Sequence, residues 1–322
     1  MMPRVRIGNL AAGRNRAAEH DLQRRQNASG ILAPEAVGGK VSAAKLLYTT
    51  LGGAPRQITA ADLAHFRAQA ASLGTKHRAG VTIADLVDGS LPDDLKRARD
   101  EVRWSTPARL HNGTIDFVTN ASRESKATRH YVRISFTGDY GEALARASTP
   151  LQAAAWLVAE GRLKYDCDCG RHTFWYRYVS TAISANAGRA ETGFPKIRNP
   201  NLTGMACKHV LRTVVDLRSS MLVRKRLADM IAADRSHLDN PGRAKPQTFR
   251  LTQHEANRIT AGKVRRIAVK PAQRGSKLPP LASASDIHKA MAVYEGRTDS
   301  NSAAIARALQ ALLASQQRGD RA

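Results

Sequence analysis

Apolar positions change their spacing along the chain, and those changes divide it. Residues 1–30 carry no periodic apolar pattern. From about 41 to 103 the chain reads as short helices with recognisable starts. Thr59-Ala-Ala-Asp62 resembles a capping box with Asp in the usual Glu position, opening a helix through Leu63, Phe66 and Ala70. Thr82 can cap a short helix through Leu86. Pro92 suits a first helical position, with Asp93 and Asp94 in the first turn and Arg97, Arg99 and Arg103 later, as the helix dipole favours.

From 104 the period falls to two. Thr114–Asn120 and Tyr131–Phe136 are β-rich runs around a polar loop, and in the second Val132, Ile134 and Phe136 alternate with Arg133 and Ser135. Thr149-Pro150 starts a helix, Leu151–Glu160, that stops at Gly161. A loop-rich insert follows, then a helix from near Cys207. Asn240-Pro-Gly-Arg243 and Pro271–Pro280 read as linkers. Two last helices are expected at Ser285–Glu295 and Ser302–Gln316, the second with Ile305, Leu309 and Leu312 on one stripe. The pattern predicts an α+β protein: a basic flexible arm over 1–40, a helical region over 41–103, a small β-rich module over 104–235, a basic linker over 236–282, and a helical basic tail over 283–322.

Composition adds a partner class. The 322 residues hold 51 Lys and Arg against 27 Asp and Glu, a net charge of +24. Residues 161–230 carry +8 and 240–322 carry +10, whereas 31–160 carry only +3. A surplus of that size, unevenly placed, implies polyanionic partners such as nucleic acid. Arg outnumbers Lys 37 to 14, which suits bidentate phosphate contacts, although a GC-rich genome would give the same bias. The longest apolar run, Ala153–Ala159, is far below the ~20 residues a membrane helix needs. No secretory h-region follows the basic start. The expectation is a non-membrane, non-secreted protein of a virion or host cytoplasm, with a homo-oligomer left open.

All three cysteines fall in one pattern, Cys167-Asp-Cys169, then 37 residues, then Cys207-Lys-His209. In an extended segment side chains two apart share a side, so Cys167 and Cys169 can grip one ion. Cys207 and His209 can converge only where a helix begins, and Val210–Leu217 supplies the helix. Three thiolates and one imidazole form a closed tetrahedral set for structural Zn²⁺, with no position for a catalytic water. The loaded site would carry −1, which Lys164, Arg171 and Lys208 could offset. His172 is a competing fourth ligand. Asp166 and Asp168 are hard donors beside soft thiolates and read as solvated turn acids.

The C-x-C…C-x-H pattern resembles the SWIM-type zinc finger over about 45 residues of the chain, with a longer spacer than the compact finger. The resemblance implies Cys167, Cys169, Cys207 and His209 as zinc ligands in a module that binds DNA or proteins and is not itself catalytic. Phe194–Gly204, leading into Cys-Lys-His, is similar to SWIM-containing proteins of tailed bacteriophages.

Phe174, Trp175, Tyr176 and Tyr178 sit among Arg171 and Arg177, where they could stack on unpaired bases or form a small core beneath the metal; the core is the preferred reading. Arg218, Arg224, Lys225 and Arg226 are phosphate-contact candidates or a solvated helix face. Gly38-Gly-Lys-Val41 is not a P-loop, and no G-x-S-x-G, H-E-x-x-H or G-x-G-x-x-G occurs. The expected function is a non-enzymatic zinc protein that binds nucleic acid, DNA in the first instance, through phosphate electrostatics in a phage virion or DNA-packaging step. The rivals are a purely structural virion protein contacting acidic virion neighbours, and an accessory subunit of a DNA-processing enzyme.

Overall fold

The computed structural model describes residues 10–26, 31, 48–77, 80–122, 125, 127–146, 148–239, 249–250, 284–294 and, of the last helix, 303, 305–307, 309–311 and 313–314. The linkers expected at 240–243 and 271–280 lie outside these residues. Helix and antiparallel sheet are mixed, as an α+β reading requires.

Three helices begin where local chemistry says they should. Helix α1 spans Leu10–Gln26, and a two-stranded ribbon, β1 (Tyr48–Thr49) with β2 (Arg56–Gln57), follows it. Helix α2 (Ala60–Lys76) opens on the Thr59/Asp62 capping box. Helix α3 (Ile83–Asp88) opens on a second box, Thr82/Asp85, and α4 (Pro92–Asp100) on Pro92. In each box the hydroxyl and carboxylate each satisfy a backbone N–H that the first turn leaves unpaired.

Strands β3 (Ser105–His111), β4 (Thr114–Asn120) and β5 (Arg129–Ser135) form a meander. Asn112 and Gly113, both at positive φ (46° and 70°), make the two-residue β3–β4 turn. Helices α5 (Thr137–Ala145) and α6 (Pro150–Glu160, capped by Thr149 and Gln152) lead to the edge strand β6 (Lys164–Cys167). The expected loop-rich insert instead holds a π-helical turn, His172–Tyr176, and α7 (Arg177–Ala182). Helix α8 (Lys208–Ser219) and α9 (Met221–Asp239) follow, then β7 (Phe249–Arg250) and α10 (Ala284–Tyr294). The sheet order is β6-β5-β4-β3-β7, antiparallel throughout.

The pleat gives this sheet two unlike faces. Leu110, Ile115, Phe117, Val132, Ile134, Tyr165 and Cys167, all buried, lie on the face that α8 packs against. Asp116, Arg133 and Asp166 stand in cross-strand register on the other. Helix α1 lies over that polar face. Arg14 pairs with Asp116, which also accepts from Arg133 Nε at 2.9 Å. Gly13 packs against the Tyr131 ring so closely that a Cβ there would collide with its hydroxyl.

The structure therefore corrects the expected arm: residues 10–26 are a docked helix. Its anchors are ion pairs to the sheet rather than an apolar stripe, which is why no periodic hydrophobic pattern announces it. Residues of the 41–103 region share one core with the sheet module; Phe66 stacks on Phe194 with ring centroids 4.2 Å apart. Ile287, Ile305 and Leu309 of the tail join the same core. Leu313 is also buried, while Leu312 lies outside the described residues. No helix among the described residues is long and apolar enough to cross a membrane.

Candidate metal centre

Four side chains converge between β6 and the start of α8. The pleat of β6 turns Cys167 to the apolar face, and Cys169, two residues on at the bend after the strand, lies beside it. Cys207 is the N-cap of α8, with extended backbone (φ −78°, ψ 161°), so the helix begins at Lys208 and His209 falls in its first turn. Ligand atoms of Cys167, Cys169, Cys207 and His209 all lie within 4.8 Å of one another, and all four residues are buried. Cys167 Sγ is 4.0 Å from His209 Nδ1. An ion with metal–sulfur bonds of about 2.3 Å at the centre of a tetrahedron separates its ligands by about 3.8 Å, so the cage is of the right size.

The electrostatics of the cage call for a cation. Burial pushes the Cys167 and Cys207 thiols up, and the neighbouring sulfur charge adds to it. Cys169 is held down because both of those thiols donate to it. Three buried thiolates need a central positive charge. The first turn of α8 also presents its partial positive end to Cys207. Soft sulfur and imidazole donors select thiophilic ions over magnesium or calcium.

A second layer holds the ligand loop. Tyr131 N–H and His130 Nδ1–H donate to Asp168 Oδ1 at 3.1 and 2.8 Å. Arg24 Nη2 donates to the Asp168 carbonyl at 2.8 Å. The His130 ring sits 4.4 Å from that of His209. Burial would lower the His130 imidazole, but Asp168 outweighs it and raises its pKa. Asp166 is partly buried on the opposite face of β6, where it meets His172 Nε2 at 3.2 Å and Arg177 Nη2 at 3.3 Å. Burial raises this carboxyl, and His172 and Arg177 together more than reverse that.

Asp166 and Asp168 are thus bracing groups, not the solvated turn acids expected. His172 belongs to the Asp166 network and not to the four-residue cage. Tyr176 is fully buried, and Trp175 and Tyr178 pack against the core, as the core reading of the aromatic run requires.

The candidate nucleic-acid residues divide into two groups. Arg177 is 2% exposed; its guanidinium pairs with Asp21 and Asp166 and donates to the Cys167 carbonyl at 3.2 Å. Arg171 makes a two-pronged contact with Asp94 at 2.8 and 3.2 Å and covers the Trp175 ring at 3.9 Å. The expectation that these two meet phosphate is corrected for Arg177, which is buried; Arg171 is held by Asp94 and stays partly exposed. Lys208 pairs with Glu101, while Lys164 is exposed at the sheet edge. Arg218, Arg224, Lys225 and Arg226 gather at the α8–α9 junction. There Arg224 Nη2 donates to the Arg218 carbonyl at 2.7 Å, and Lys225 and Arg226 face Asp229 at 3.0 and 3.8 Å.

His130, Asp21 and Arg24 escaped the sequence reading because the partners that place them here lie 38 to 156 residues away. In comparisons with known proteins, no family model, no curated protein and no solved structure matches this chain.

Proposed function

We propose that this chain is a non-enzymatic, zinc-stapled protein that binds nucleic acid through phosphate electrostatics. The observation that carries the reading is the buried Cys167/Cys169/Cys207/His209 cluster, whose four donors lie within 4.8 Å of one another and would fill the tetrahedral shell of one ion, leaving no position for a reacting water. Zinc is the ion inferred from that donor set. Its role is structural: it ties the edge strand to α8 and so fixes the walls of the module. The polyanion inference rests on the net charge of +24. A SWIM-like module in a phage particle or its DNA-packaging step is the setting inferred, on the resemblance of the ligand pattern.

The test is metal analysis of the reduced full chain, together with DNA binding at two salt concentrations. One zinc per chain is expected. Affinity should show little sequence preference, because phosphate contacts carry no base information. With about six phosphates neutralised, log K should fall with log salt at a slope of about −5 on duplex DNA. Absence of DNA binding at low salt would turn the reading toward a structural protein whose basic surface meets acidic protein neighbours.

A further inference from the structure

Beside the metal cage, α1, the start of β5 and the first two residues of α8 line a cleft of about 990 Å³. Arg16, Arg24, Arg97, Arg129, Arg171 and Lys208 line it, against one lining carboxylate among the described residues, Asp168. That carboxylate already accepts from His130 and Tyr131. Several of the cations are braced from outside the cleft: Arg97 and Lys208 by Glu101, and Arg171 by Asp94. The bracing fixes their positions in advance, so a ligand would lose little side-chain entropy on meeting them.

On α1 the lining residues Arg16, His20 and Arg24 stand four apart, one stripe with a rise of about 6 Å between neighbours. Arg16 and His20 are exposed. A stripe of that kind meets a polymer with regularly repeated charges, whereas a lone anion would use one position of it. Besides histidines, Tyr131 is the one aromatic residue of the lining, and its ring is packed under Gly13, so no platform for a base is present among the described residues.

Building on the nucleic-acid reading above, we propose that this cleft, and not the α8–α9 junction, is where the chain holds its polyanion: one sugar–phosphate strand of a nucleic acid, bound by phosphate contacts without base readout. None of Arg218, Arg224, Lys225 and Arg226 lines the cleft. The metal ligands Cys169 and His209 do, so the cage forms part of the floor under the strand.

The test uses the full zinc-loaded chain and a short fluorescent oligothymidine, with affinity followed between about 50 and 200 mM salt. Arg16→Glu with His20→Glu should weaken binding about tenfold or more and flatten the salt slope by at least about 0.7, the share of one phosphate contact on a single strand. Arg16→Lys should bind within about twofold of the parent. Both replaced side chains are exposed, so zinc content and thermal midpoint should stay at parental values; if the double variant loses either, Arg16→Ala alone takes its place and should still weaken binding. The triple variant Arg224→Ala, Lys225→Ala, Arg226→Ala should leave affinity near the parental value.

If the triple variant loses affinity and the cleft variants do not, the cleft assignment falls while nucleic-acid binding stands. If millimolar inorganic phosphate displaces the oligonucleotide at constant ionic strength, the cleft takes single phosphate groups and the strand assignment falls. If the parent protein binds no oligonucleotide at the lower salt, both readings fall together.

Discussion

The Arg177 guanidinium, at the start of α7, closes a buried ion pair with Asp21 of α1 across 156 residues of sequence. Thr173 adds its hydroxyl to the same carboxylate. Both ionic side chains are nearly solvent-free, and each keeps a further partner: Arg177 also meets Asp166, and Asp21 also meets Arg24 and Arg189. Asp21→Asn or Arg177→Ala should destabilise the chain by about 1.5–3 kcal/mol, the usual worth of a hydrogen bond to a charged group, because neither remaining ion is left alone. Denaturant unfolding of the two single variants and the double variant checks this. The double variant should cost less than the two singles added together; simple additivity would mean that α1 does not depend on this contact.

Metal and folding are expected to be linked. Cys207→Ser removes one of three thiolates and should abolish stoichiometric zinc. It should also melt the contact between β6 and α8, since structural zinc contributes on the order of 10 kcal/mol or more to small zinc folds. Metal analysis and near-ultraviolet circular dichroism, before and after a chelator, read both effects. A variant with parental tertiary signal and no zinc would show that the ion is dispensable to the fold.

The β3–β4 turn makes a sharper local prediction. Gly113 has φ +70°, and a Cβ there would lie 2.6 Å from Tyr140 Cγ. Tyr140 is itself held by the hydrogen bond from its hydroxyl to Asp234 Oδ2 (2.7 Å), so the ring has little room to retreat. Gly113→Ala should cost about 1–3 kcal/mol, combining backbone strain with the clash. Gly138→Ala, where a Cβ would meet nothing within 4 Å, is the control and should change stability by no more than about 1 kcal/mol. Equal thermal midpoints for the two variants would contradict this account of the turn.

Glu101 gives a prediction in pH. The hydrogen bond from Arg97 holds its carboxyl down to about 2, burial opposing and Lys208 assisting. Its folded pKa is below its unfolded value of about 4.3, so its contribution is complete above that pH and is lost as pH falls toward 2. The stability gap between the parent and Glu101→Gln should be constant from neutral pH down to about 5 and close below about 4.3. Acid would release a bound metal from both proteins alike, so the gap is the readout. A gap that widened as pH fell would reverse the assigned sign.

Much of the local structure is legible in single stretches of the chain, because the interactions that specify it are local. Thr59, Thr82 and Thr149 each cap a helix through a partner three residues on, and all three helices start there. The ligand pattern is local at each end: Cys167 and Cys169 share the end of one strand, Cys207 and His209 the start of one helix. The Asn112-Gly113 turn is equally local, since Asn-Gly is the strongest short-range hairpin signal, and it joins strands β3 and β4.

What only the tertiary structure decided is which charges face solvent. The sequence by itself determined a basic chain with four metal donors in two local pairs and helices that begin at their caps. It did not determine that Arg177 is buried, that Arg171 answers Asp94, or that α1 docks by ion pairs, since each partner is a residue type common along the chain and 77 to 156 positions away. Hydrophobic periodicity reports an apolar face because such a face repeats within a few residues. An ion pair across the fold has no period, so which charges are used inside and which remain to line the cleft beside the metal cage is settled only when the chain has closed on itself.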